Sequence, residues 1–267
     1  MKLVVLAAAG CAIVLALLGC SESSGTSGAA TQRPGYTLMQ MNLCLSGTAG
    51  CYPKVAYPAG VEDAVTRIRE ARPDAVTLNE ICRRDVEQIA RRTGYHVRFS
   101  RVIYAGERLP CVRPGGRGLF GDAVLTKAAI SRTDNHDFEG QSGPERRRWL
   151  CVATRVDVDV CTAHLNTRSA VEARGNVAQC TELAAVLARR ATNGTVIFGG
   201  DVNRRSSCAP DGLWTRTDSA ADQAGGIQHV YGSAAFRSPA AEVVAARHTD
   251  HDVLVVHARL AARAVSR

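Results

Sequence analysis

Apolar and polar residues alternate along residues 36–43, a period-two pattern that predicts a half-buried β-strand. The spacing turns helical over 61–71, where Val61, Ala64, Val65 and Ile68 share a side, and Pro73 marks the stop. A short apolar run at 74–79 has the length of a strand, and 84–92 reads as a second helix closed by Gly94. Further strands are expected at 95–102, 121–126 and 128–132. Residues 149–154 and 156–163 predict a long hairpin, because Val156, Val158 and Val160 alternate with polar positions. The longest helix is expected over 172–190, with Val177, Cys180, Leu183, Ala184 and Leu187 along one stripe. A buried strand at 195–198 is broken by Gly199 and Gly200, and the last strands fall at 227–231 and 253–257. Helices interspersed with strands, some of them in hairpins, predict a layered α/β domain and not a purely parallel sheet. No repeat or second linker interrupts residues 36–267, which read as one domain.

The chain starts differently. Met1-Lys2 precedes an uncharged apolar run over residues 3–19, shorter than the ~20 residues of a spanning helix. This reads as a signal peptide over 1–19. Its end, Leu17-Leu18-Gly19-Cys20, resembles a bacterial lipoprotein signal, in which cleavage after a small residue leaves Cys20 to carry the lipid. Residues 20–35, rich in Ser, Gly, Thr and Ala, then form a flexible tether. The expected location is extracytoplasmic. The chain would be held at the outer face of the cell membrane through the lipid anchor only, or be secreted if the run is a plain export signal.

Export changes the reading of the ten cysteines. Beyond Cys11 and Cys20 there remain Cys44, Cys51, Cys82, Cys111, Cys151, Cys161, Cys180 and Cys208, an even set that reads as a disulfide framework. Pairing neighbours gives Cys44–Cys51 closing a short loop and Cys82–Cys111 tying a helix to a loop. It also gives Cys151–Cys161 across the hairpin, and Cys180–Cys208. Zinc is the rival reading, weakened because no Cys-x-x-Cys occurs. Of the 267 residues 46% are hydrophobic, enough for a packed core, which excludes wholesale disorder. The formal charge is +8. Lys2, Lys54 and Lys127 are the only lysines, so this charge is almost all arginine. Codon bias and a phosphate-bearing ligand both produce that pattern.

Five strand ends carry residues that an apolar strand does not require: Asn42; Asn79-Glu80; His164-Leu165-Asn166; Gly200-Asp201-Val202-Asn203; and Asp250-His251. A charged group at the end of a buried strand is costly unless paired or bound to a metal. One such ending is usually a turn residue, whereas five of hard-oxygen or imidazole type point to a site. In this order the motifs resemble the endonuclease/exonuclease/phosphatase superfamily, which includes DNase I-like nucleases, abasic-site endonucleases, sphingomyelinases and inositol-phosphate phosphatases. The resemblance runs from Tyr36 nearly to the C-terminus. It implies a four-layer α/β sandwich of two packed mixed sheets flanked by helices, with the site where loops converge at one end.

The resemblance also implies roles. Glu80, Asn42 and Asp250 would hold Mg²⁺, with Mn²⁺ or Ca²⁺ as alternatives; Mg²⁺ prefers oxygen donors and retains waters. Asp201 would orient or deprotonate the attacking water, Asn203 would hold the phosphate, and His164 and His251 would flank it. Asn166, Arg204 and Arg205 would bind or rim the phosphate. Two positions depart from the pattern. Gln228 stands where relatives carry an acid that pairs with the histidine matching His251; a glutamine orients that ring without stabilising its cation. Asp252 and His248 are the candidates to stand in for that acid. Cys82 stands in place of an arginine. His96, His136 and His257 are expected to have no role, with His229 and His248 left open.

Clustered arginines at 146–148, with Arg113 and Arg117, suit a polyanion. Aromatic residues are only 5% of the chain, which argues against a bilayer-attacking hairpin. The Trp-Cys-Asp-Arg signature of inositol-polyphosphate phosphatases is absent. The expectation is therefore a monomeric, nonspecific nuclease or phosphodiesterase acting outside the cytoplasmic membrane, its phosphodiester substrate a nucleic acid. A phospholipid or small-phosphoester hydrolase of the same fold, and a surface-tethered binding protein on a degenerate scaffold, are the alternatives.

Overall fold

The computed structural model describes residues 35–48, 57–219 and 226–261. The expected export signal, Cys20 and nearly all of the expected tether lie outside them. The first half runs β1 (Gly35–Asn42), α1 (Ala59–Ala71), β2 (Ala75–Cys82), α2 (Arg83–Thr93), β3 (His96–Arg101), β4 (Ile103–Tyr104), β5 (Glu107–Arg108) and β6 (Phe120–Thr126). The second runs β7 (Ile130–Asp137), β8 (Glu145–Arg146), β9 (Arg148–Thr154), β10 (Val158–Ala163), α3 (Ala173–Asn193), β11 (Thr195–Asp201), β12 (Trp214–Thr217), β13 (Gln228–Gly232), β14 (Phe236–Val244) and β15 (Val253–Leu260).

These strands form two six-stranded sheets, ordered β14-β15-β1-β2-β6-β3 and β12-β13-β11-β10-β9-β7, plus a small sheet β5-β4-β8. Parallel pairing occurs where a helix makes the crossover: β1 with β2 across α1, and β10 with β11 across α3. Alternate side chains leave opposite faces of a strand, so β1 feeds two cores at once. Met39 and Met41 pack with Val65 and Ile68 of α1 and Val86 and Ile89 of α2. Leu38 faces the other sheet, among Val152, Val160, Ile197 and Leu254. On the far side of the second sheet Phe198 and Tyr231 pack with Leu183 and Leu187 of α3. Three apolar seams thus separate four layers, helices–sheet–sheet–helix, which is the sandwich expected.

Gly199 and Gly200 correct one expectation, since β11 runs through both of them to Asp201. A Cβ on Gly199 would be driven into Thr77 Oγ1, and one on Gly200 into the carbonyl of Ala163. The glycines make room for the Thr77 side chain and the Ala163 backbone at the end of the strand; they do not end it. Three expected disulfides are present, Cys82–Cys111, Cys151–Cys161 and Cys180–Cys208. Cys44 is also disulfide-bonded, and its expected partner Cys51 lies outside the described residues. Disulfides accord with an extracellular setting. Among the described residues no helix is long and apolar enough to cross a membrane.

Candidate active site

The last turn of each central strand delivers a polar side chain to one end of the sandwich. On β2 the register against β6 shifts between Leu78 and Ile81, and Glu80 within that irregularity has φ +55°. A left-handed backbone is unfavourable for a glutamate and persists only where its surroundings impose it. Here Leu45 N–H donates to the Glu80 carbonyl at 2.8 Å. Asn42, ending β1, donates through Nδ2 to Glu80 Oε1 and to Asp201 Oδ2, each at 3.1 Å.

The second sheet supplies the other half. Asp201 ends β11, and its Oδ1 accepts the Asn203 N–H at 2.9 Å, turning the chain so that Asn203 takes φ +51°. Asn203 Nδ2 donates to the Leu165 carbonyl at 2.9 Å and meets His164 Nε2 at 3.0 Å. With Nε2 accepting, the His164 proton sits on Nδ1, which is buried, has no hydrogen-bond partner and lies 3.9 Å from Glu80 Oε1. His251 Nε2 stands 3.8 Å from Asp201 Oδ2 and 3.8 Å from Asp250 Oδ1.

A polar seam behind the site joins the sheets. Asn79 Oδ1 accepts from Gln40 Nε2 and from the Asp201 N–H, both at 2.8 Å, while Asn79 Nδ2 donates to Asp122 Oδ1 at 2.9 Å. Burial dominates the electrostatics of this region. It pushes Glu80 up to about 7 against the hydrogen bond from Asn42 and the field of Arg147. Asp122 likewise rises to about 7, opposed by Asn79 and Arg147. Asp201 is raised by burial, less the pull of His251, the Asn203 N–H and Asn42. Burial, with Arg147 and His251 nearby, holds His164 well below the usual imidazole range.

Glu80, His164, Asp201, Asn203 and His251 converge on one pocket of about 470 Å³. Other expected residues are placed differently. Asn42 is fully buried, with its amide nitrogen toward the two carboxylates and its oxygen accepting the Cys44 N–H at 3.2 Å. Asn166 is also fully buried and does not reach the pocket. Its Nδ2 donates to the Ser142 carbonyl, and its Oδ1 accepts from Gln179 Nε2 at 2.5 Å, so it fastens α3 beneath the site. Arg204 is held by Ser206 at 2.8 Å, Arg205 is exposed, and neither lines the pocket. Asp250 is exposed beside His251 and outside the lining. Among the described residues no group of three or more His, Cys, Asp or Glu is gathered closely enough to hold a metal ion.

Gln228 does not touch His251 through any hydrogen bond described. Its Nε2 donates to the Asp252 carbonyl at 2.6 Å and to Asp218 Oδ2 at 3.2 Å, and its Oε1 faces Gln40 Nε2 at 3.4 Å. Asp252 Oδ1 accepts the Ala246 N–H at 2.8 Å. Asp201 and Asp250 are the carboxylates beside the His251 ring. His229 is bound to Tyr231 Oη at 2.6 Å and to the Gly226 carbonyl at 2.8 Å, an interior role.

Of the arginine cluster only Arg147 enters the pocket; it is 4% exposed and its Nε has no hydrogen-bond partner. Arg148 turns to Asn135 and Asp137, and buried Arg117 pairs with Asp85 at 2.7 Å. Composition could flag the cluster but not which member faces inward. Asp122 is not among the expected site residues, although it is the lone charge within Phe120–Thr126. A larger cavity of about 630 Å³ lies against the end of α3, but there Arg190 already pairs with Asp134 at 2.6 Å and Asp159 at 2.7 Å.

Solved structures share this architecture. Truncated TDP2 from Caenorhabditis elegans gives a TM-score of 0.61 at 15% identity, over 84% of this chain and 98% of that one. The human Nocturnin catalytic domain with bound sulfate anion gives 0.62 at 16% identity, over 85% and 94%. D. rerio TDP2 complexed with single strand DNA product gives 0.59 at 12% identity, over 84% and 99%. No curated protein matches the chain. Residues 48–251, spanning every motif of the pocket except Asn42, match the family model. The chain therefore belongs to the Endonuclease/Exonuclease/phosphatase family, and its class of chemistry is phosphoester hydrolysis.

Proposed function

We propose that this pocket hydrolyses a phosphodiester with a divalent cation, acting outside the cytoplasmic membrane on nucleic acid. The observation that carries the reading is a set of orphaned polar atoms. Arg147 Nε and His164 Nδ1 are buried without hydrogen-bond partners, and both residues line this pocket. Buried polar groups in native proteins are nearly always satisfied, so such a concentration marks a place where a ligand completes the bonding.

The carboxylates fit a cation. Glu80 and Asp201 are both pushed up by burial, with Asn42 as their shared donor. Mg²⁺ needs only one or two carboxylates and keeps several waters. Glu80 would hold it, and when bound it would neutralise charge developing on the phosphate oxygens. Asn42 keeps the two carboxylates in register by donating to both. Asp201, fixed by the Asn203 N–H, orients the attacking water. His164, held neutral by burial, offers its Nδ1 proton to a non-bridging oxygen, and Arg147 supplies positive charge beside it. His251, between Asp201 and Asp250, is placed to give a proton to the leaving oxygen. Asp250 thus serves His251 in this reading. The D. rerio neighbour, which holds single strand DNA product, supports a nucleic-acid substrate.

The test is hydrolysis of plasmid DNA and of bis(p-nitrophenyl) phosphate with Mg²⁺ and with chelator. Chelation should abolish turnover. Asp201→Ala should lower kcat by about 10²–10⁴-fold, with an unchanged circular dichroism spectrum. Turnover that survives both treatments overturns the assignment.

A further inference from the structure

We propose that the substrate is an extended nucleic-acid strand, held beyond the reacting phosphodiester in an arginine-lined groove along β3. The inference rests on the hydrolase reading for the position of that phosphodiester, while the groove is built from other residues. It has a volume of about 400 Å³ and is lined by Arg83, Arg98, Arg101 and Arg108 over an apolar floor that includes Phe99 and Leu119. The groove and the catalytic pocket share a wall. Arg108 and Leu119 face the groove, and the next residues in the chain, Leu109 and Phe120, line the pocket. The Phe120 N–H joins these segments by donating to the Leu109 carbonyl at 2.9 Å. Arg101 opposes Gly121, the neighbour of Phe120. Arg98 lies three residues back along the strand, so the groove leads about 10 Å away from the pocket. β3 is the last strand of its sheet, and no further strand pairs with its outer edge.

The charge in this groove is unlike that of the other cavities. The catalytic pocket meets a phosphate with three carboxyl groups, Glu80, Glu145 and Asp201, against the single arginine Arg147. The cavity at the end of α3 sets Asp134, Asp157 and Asp159 against Arg132, Arg189 and Arg190, three against three. The β3 groove sets four arginines against Glu87 alone, and Glu87 lies 3.0 Å from Arg83. Among the described residues no carboxylate pairs with Arg98, Arg101 or Arg108. An arginine-rich composition raises the count everywhere; it does not withhold acids from one groove. Like charge is already felt there, since burial and then the Arg101 guanidinium hold Arg148 below the usual arginine range. Guanidinium groups match phosphate oxygens in charge and geometry. A small diester gains nothing from such a groove. A strand does, because its flanking phosphates bind the arginines and bring the reacting one to a pocket whose own carboxylates oppose it.

Binding and turnover are read separately. Fluorescence anisotropy in chelator follows a 5′-labelled twelve-nucleotide single strand on the wild-type protein, on Arg101→Glu/Arg108→Glu and on Arg189→Glu/Arg259→Glu. The control pair carries the same charge change at the far end of the sandwich, where Arg189 sits in the last turns of α3 and Arg259 opposes Gly35 at the start of β1. The groove variant should bind about tenfold more weakly, and its slope of log affinity against log salt should be shallower by about 1.4, two phosphate contacts at ~0.7 each. The control should stay within about twofold of wild type, and Arg101→Gln/Arg108→Gln should give a smaller loss in the same direction as the groove variant. No strand binding, an indifferent groove variant, or an equal loss in the control overturns the inference. So does a groove variant that loses binding to phosphatidylglycerol vesicles with strand binding intact, which assigns the groove to a membrane surface. Turnover of bis(p-nitrophenyl) phosphate with Mg²⁺ is measured in parallel, and the groove variant should leave it unchanged. If it proceeds while the binding result is negative, the hydrolase reading stands and the groove falls. If groove-dependent binding appears with no turnover on any diester, the reverse holds.

Discussion

At the scale of single residues, Asp122 shows what the interior of this site costs. Its carboxyl is raised to about 7 by burial, against an ordinary value of 3.8. The folded protein therefore holds the proton more tightly than the unfolded chain does, and stability should fall as pH rises from about 4 to about 7. Asp122→Asn keeps an acceptor for Asn79 Nδ2 and removes the charge. Thermal melts in chelator should show a midpoint about 3 °C higher at pH 8, with a flatter dependence between pH 4 and 7; a lower midpoint at pH 8 would show that the carboxylate is needed there. Much of the site was legible at this scale, because Glu80, His164, Asp201, Asn203 and His251 each lie at or beside a strand end. Asn166 looked equivalent in sequence, but its amide is spent on Ser142 and Gln179 from distant segments. No local pattern reveals such a partner. Gln228 misled for the same reason, since Asp218 and the Asp252 carbonyl claim it.

At the scale of elements, the central strands and the three helices of the described residues follow from the sequence pattern, and the three observed disulfides join consecutive cysteines. Cys151–Cys161 joins register partners on β9 and β10. Cys180–Cys208 joins α3 to the segment that follows Asn203, across a separation of 28 residues. Replacing both Cys180 and Cys208 with alanine should lower stability by about 3 kcal/mol, read from the urea midpoint; a loss below about 1 kcal/mol would show that packing alone holds the segment. What stayed hidden were elements too short or irregular to have a period. β4, β5 and β8 are two residues each. β14 carries Pro239 and a register shift between Arg237 and Ala240, which suit its place at a sheet edge and erase alternation.

At the scale of the molecule, the pocket is divided between the two sheets. Asn42, Glu80 and His251 belong to the sheet of β1, β2 and β15, whereas Arg147, His164, Asp201 and Asn203 belong to that of β9, β10 and β11. The seam through Gln40, Asn79 and Asp201 fixes the distance between them. Neither half holds a complete constellation. Competence is therefore a property of docking, and a slight opening of the sandwich silences the enzyme while every strand stays paired. In a urea titration turnover should vanish at a lower concentration than the far-ultraviolet signal, and coincident curves would refute this. A newly made chain would by the same geometry stay inert until its two sheets close on each other.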